Sequence, residues 1–162
     1  MHSQECISAT QEAPVTDPGA VLVDLVRVET RLYNAVDARL KAAGGLTLPQ
    51  LEVLTLVRDL PGCRVLDISR TISITIGAAS KSVDRLEEQG WCRRTVDPHD
   101  RRSSTLSLTV DGRAAVDRAE PVFEAATRDT LGSLLPARDL DRLADLLRAL
   151  RSALQAPADR TP

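Results

Sequence analysis

From Asp17 onward the chain places apolar residues at intervals of three and four. Leu22, Leu25, Val28, Leu32, Val36 and Leu40 form one stripe, which predicts a long helix ending at Gly44-Gly45. Asp17-Pro18 is a good start for it, with Asp as the cap and Pro in the first turn. Val21, Val26 and Tyr33 widen the stripe beyond what one small domain would need to cover. Thr47-Leu48-Pro49-Gln50 then has the spacing of a capping box. It predicts a second helix to about Asp59, with Leu51, Leu54, Leu56 and Val57 inward, before a turn at Leu60-Pro61-Gly62.

The pattern from Arg64 to Gly112 is denser. A short helix over Leu66 to Thr71 is followed by a tight turn, Ile72-Ser73-Ile74, and then by a second helix capped by Thr75 and closed at Gln89-Gly90. Ile76, Ala79, Val83 and Leu86 share a face expected to be buried; Gly77, Ala78, Ser80, Lys81, Ser82, Asp84 and Arg85 face out. Trp91 to Val96 and Ser104 to Leu108 alternate as strands around the turn residues Asp97-Pro98-His99-Asp100, which places Arg101 and Arg102 at or just past a hairpin tip. Thr109 can cap a helix running to about Leu131, with a bend expected at Pro121, and Leu134-Leu135-Pro136 breaks the chain again. The last helix, roughly Ala137 to Leu154, sets Leu140, Leu143, Leu146, Leu147, Leu150 and Leu154 along one side.

Helix, sharp turn, helix and hairpin make the plan of a winged helix-turn-helix. The expected fold is therefore mainly α with a small β-hairpin, the winged part flanked by N- and C-terminal dimerisation helices. The expected divisions are 1–16 as a flexible leader, 17–45 as the N-terminal dimerisation helix, 46–112 as the DNA-binding domain, 113–156 as C-terminal dimerisation helices and 157–162 as a flexible tail. An outward face of small residues with hydroxyls and cations lets a helix approach major-groove base edges closely, and an arginine at the hairpin tip can enter a narrow minor groove. The candidate DNA-binding residues are Thr75, Gly77, Ala78, Ser80, Lys81, Arg85, Asp100, Arg101 and Arg102.

Charge refines this picture. The 162 residues carry a net charge of −2, which argues against indiscriminate coating of nucleic acid. Yet Arg64 to Ser104 holds eight Lys/Arg against six Asp/Glu, so the basic excess lies with the reading head. The first 18 residues lack the basic and apolar segments of an export signal, and no stretch approaches the roughly 20 apolar residues of a membrane span. Three cysteines, Cys6, Cys63 and Cys92, show no CxxC spacing and fit reduced thiols. The chain is accordingly expected to be cytoplasmic, to need no cofactor or metal and to bind no membrane. We find no nucleophile–base pair, metal cluster or phosphate-cradling glycine loop, so no enzymatic activity is expected.

In "AASKSVDRLEEQGWCRR", in the wing "DPHDRRSS" and in the exit "LSLTVDG", the segment resembles MarR-type transcriptional regulators. The resemblance implies a regulator, usually a repressor, that works as a homodimer on a palindromic operator in double-stranded DNA. It puts the minor-groove arginine of the wing at Arg102, beside Asp100, and the hydroxyl and cation of the recognition helix at Ser80 and Lys81. It also implies release by a small amphipathic or phenolic effector. Some members of the family bind aromatic carboxylates, in at least one of them at positions corresponding to Ser80 and Arg94, and Tyr33 lies where an effector could lodge. Arg94 has an alternative use, pairing with Asp97 or with the helix end. A thiol-based redox-sensing regulator, with Cys6 near Tyr33, and a winged-helix protein-interaction module are the other readings.

Overall fold

The computed structural model describes residues 17–96 and 104–155. The element order is α1 (Pro18–Gly44), α2 (Leu48–Asp59), α3 (Val65–Ile72), α4 (Ile76–Glu88), β1 (Cys92–Val96), β2 (Ser104–Leu108), α5 (Val110–Thr127), a π turn at Arg128–Gly132 and α6 (Ala137–Gln155). The mainly helical, winged helix-turn-helix expectation is met, nearly residue for residue at the helix starts. Asp100, Arg101, Arg102 and Cys6 lie outside the described residues.

The chain divides into two compact units, one ending at Arg31 and the other beginning at Leu32. In the first, Asp17 caps the helix by accepting from the Gly19 N–H at 2.9 Å. Val21, Leu22, Val23, Leu25, Val26 and Val28 are all exposed there. In the second unit one core gathers Val36 and Leu40 of α1 with Leu51, Leu54, Ile68, Val83, Leu86 and Val116. Thr47 accepts from the Gln50 N–H while the Gln50 side chain accepts from the Thr47 N–H at 2.9 Å, the reciprocal cap expected of that spacing. Asp37 reaches across from α1 to take the free Leu48 N–H at 2.8 Å and the Lys41 ammonium at 2.6 Å. Those two donors, Lys41 first, hold its carboxyl below the usual carboxylate range.

α5 runs unbroken through Pro121 and gives way at Arg128 to the π turn, where Thr130 and Ser133 hydroxyls donate to carbonyls one turn back. α6 carries no buried residue; Leu146, Leu147, Leu150 and Leu154 are exposed. No helix among the described residues is long and apolar enough to cross a membrane.

Candidate nucleic-acid interface

The turn between α3 and α4 is short because Ser73 takes a left-handed conformation, φ 61°. Ser69 stabilises it twice, its carbonyl accepting from the Ile74 N–H at 3.1 Å and its hydroxyl donating to the Ile74 carbonyl at 2.7 Å. α4 then starts on the Thr75 hydroxyl, which accepts from the Ala78 N–H at 3.1 Å. Ala79, Val83 and Leu86 are wholly buried and orient the helix against the core. Ile76, expected on the same face, is 58% exposed. It is the first residue of the helix, so the spacing rule places it on the inner side but beyond the end of the core that would cover it.

Lys81 and Arg85 are exposed on the side of α4 turned away from Ala79 and Val83. Among the described residues neither makes an ion pair. Gly77 and Ala78 leave the first turn of α4 low, and a Cβ built on Gly77 would meet nothing within 4 Å. The hairpin pairs antiparallel with Arg94 opposite Leu106 and Val96 opposite Ser104. It is tied to the rest of the head by the Leu106 N–H, which donates to the Cys63 carbonyl at 2.7 Å, a third strand-like contact that no sequence pattern announces.

Arg94 is committed elsewhere. Its guanidinium pairs with Glu87 and, at 2.8 Å, with Asp84, and it donates at 3.4 Å to the Ser80 carbonyl. Its backbone N–H donates to Glu87 Oε1 at 2.7 Å. Of the two alternatives for Arg94, the helix end is occupied, while Asp97 lies outside the described residues. Asp84 and Glu87 were not among the candidate residues, because a strand arginine meets them only once β1 folds back along α4. Arg94, Ser80, Ile76 and Leu66 border an open groove of about 430 Å³ between α3, α4 and the hairpin. Tyr33 is half-buried and packs against the core.

Cys63 and Cys92 are buried free thiols. Burial, and secondarily the nearby carboxylates Asp67 and Glu87, push both up to about 11. At pH 8 only about a thousandth of each is thiolate, the nucleophilic form. We expect both to resist a thiol-specific reagent in the folded protein at pH 8 and to react fully in denaturant, as read by mass spectrometry of the labelled peptides. Rapid labelling of either in the native state would contradict the burial described.

Comparison with known proteins agrees with this geometry. The MarR family model matches residues 46–104. A curated transcriptional repressor of the helix-turn-helix type from Mycobacterium tuberculosis is 34% identical over 110 residues, which is 68% of this chain and 78% of that protein. Among solved structures, the MarR family regulator Sco3205 of Streptomyces coelicolor, in complex with DNA, superposes with a TM-score of 0.80 at 24% identity, covering 90% of this chain and 96% of that one. The repressor CouR bound to a 23-mer DNA duplex gives 0.72 at 33% identity, over 78% of this chain and 89% of that one. CouR of Rhodococcus jostii RHA1 bound to p-coumaroyl-CoA gives 0.71 at 25%, over 92% and 100%. With the winged helix in place and more than three quarters of a repressor spanned at that identity, the chain belongs to the MarR family of transcriptional regulators.

Proposed function

We propose that this regulator is a homodimeric, sequence-specific DNA-binding repressor acting on a palindromic operator in the cytoplasm, and that it is not an enzyme. The observation that carries the DNA reading is the outer face of α4, where Lys81 and Arg85 stand exposed and without ion pairs among the described residues, beside the low surface of Gly77 and Ala78. Thr75 and Ser80 complete that face, and we assign the adjacent minor groove to Arg102, with Asp100 and Arg101 beside it in the sequence. Two such heads held about one DNA turn, roughly 34 Å, apart would meet successive major grooves on one side of the duplex.

Dimerisation is supported by leucines that the single chain leaves uncovered: Leu146, Leu147, Leu150 and Leu154 of α6. The apolar run Val21 to Val28 is a second such surface. Sedimentation at micromolar concentration should return a dimer, and a clean monomer would remove this part of the proposal. Arg102→Ala should weaken operator binding by about 1–3 kcal/mol and leave the folded stability unchanged. Titration of a selected duplex at two salt concentrations checks it, and unaltered affinity would refute the wing assignment.

We place effector control at the groove bordered by Ser80 and Arg94 and assign it a small amphipathic or phenolic molecule; Tyr33, which packs against the core and does not line that groove, is kept as a separate candidate. CouR, solved with p-coumaroyl-CoA, is a relative whose ligand contains a phenol. An anionic effector must displace Asp84 or Glu87 from Arg94, so it binds weakly unless other contacts compensate. It shifts the DNA equilibrium only by its differential affinity for the free and operator-bound forms.

A further inference from the structure

We propose that Ile76 is a specificity-determining residue of the DNA reading head and that it reads the 5-methyl group of a thymine in each half-site. The inference rests on the DNA-reading proposal above and extends it to a residue whose apolar side chain had assigned it to the core.

The first turn of α4 consists of Thr75, Ile76, Gly77 and Ala78. The Thr75 hydroxyl is held at the helix cap by the Ala78 N–H. Gly77 and Ala78 have no reach. Ile76 is therefore the one large side chain in this turn, and it is 58% exposed while Ala79, three residues on, is completely buried. In helix-turn-helix proteins the N-terminal residues of the second helix approach the base edges. The thymine methyl is the only apolar group that an unmodified base pair displays in the major groove, so a branched aliphatic side chain there has one complementary partner. A β-branched residue in a helix is also nearly restricted to one χ1 rotamer, so little freedom is lost on contact. The open space over Gly77 permits the close approach that such a contact needs.

The test begins with an operator selected from a random duplex library, using the full chain. Each thymine of the half-site is then exchanged symmetrically for deoxyuridine, which removes the methyl and keeps every hydrogen-bonding group. For the wild type, one such exchange should weaken binding by about 4-fold per half-site, the factor for one buried methyl group. Ile76→Ala should lose at least that factor on the thymine operator and bind the uracil operator no worse. Ile76→Val, which keeps the branch, should retain a preference for thymine. The side chain is exposed, so unfolding transitions of both variants should match the wild type. Overturning results would be a wild type indifferent to every thymine of the half-site, or an Ile76→Ala variant with the full thymine preference. A chain that prefers no duplex at any salt concentration removes the DNA-reading proposal and this one with it, whereas specific binding without methyl sensitivity removes only this one.

Discussion

Gly112→Ala is expected to destabilise the fold by on the order of 3 kcal/mol or more, although it adds a single methyl group. A Cβ at Gly112 would lie 1.8 Å from the Trp91 carbonyl oxygen and 2.7 Å from its carbon, and both are backbone atoms that no rotamer change can move aside. The approach is this close because the start of α5 is fastened to the start of the hairpin. The Thr109 N–H donates to the Trp91 carbonyl at 3.1 Å, and the Thr109 hydroxyl donates to the Gly90 carbonyl at 2.6 Å while accepting from the Gly112 N–H at 2.9 Å. Admitting a methyl means withdrawing α5 and giving up these bonds, including a helix cap of about 1 kcal/mol. Against a typical total of about 5–15 kcal/mol this is a large loss. Thermal unfolding followed by circular dichroism should show a midpoint lower by roughly 10 °C. The control is Gly77→Ala, where the added methyl meets nothing within 4 Å and stability should not fall. Equal midpoints for Gly112→Ala and the wild type would mean that α5 does not enter the fold this way.

Removal of the Arg94 guanidinium ranks second. Arg94→Ala leaves Asp84 and Glu87 facing each other across the space the cation occupied, with side chains of residues 94 and 87 only 25% and 29% exposed. Breaking a fully buried pair costs about 3–5 kcal/mol; at this exposure solvent screens part of it, and about 1–3 kcal/mol is expected. The variant should also bind operator more weakly, because Arg94 joins the recognition helix to the first strand of the wing without itself being a proposed DNA contact. Glu87→Gln in the Arg94→Ala background should recover part of the stability by removing one of the stranded charges. No recovery in that double variant would show that Arg94 acts through its alkyl packing and not through its charge. The effector proposal is tested at the same time: if Arg94 held an anionic ligand as its main duty, its loss would abolish effector response and leave stability intact.

Much of this molecule is legible in its amino-acid order. Helix starts follow from local chemistry: Thr47, Thr75 and Thr109 each accept a free N–H three residues on, and the residues that do this are named by the chain itself. Left-handed helix ends at Gly45 and Gly90 are equally local. Periodicity likewise identified Ala79, Val83 and Leu86 as the inner face of α4. It failed at Ile76, since period tells which way a side chain points and not where the core ends.

What could not be read in advance depends on segments far apart in the chain meeting in space. The Leu106 bond to Cys63 joins positions with no shared pattern, and the two carboxylates on Arg94 come from a helix whose own cations, Lys81 and Arg85, make no ion pair among the described residues. Gly112 followed a familiar exit motif, yet only the approach of its Cα to the Trp91 carbonyl explains why no other residue fits. Hydrogen bonds to the nearest backbone groups and the angular spacing of apolar residues are local quantities, so the amino-acid order alone determined the elements and the family likeness. Close backbone approach, ion-pair choice and the edge of burial are properties of the assembled chain, and the tertiary structure decided them.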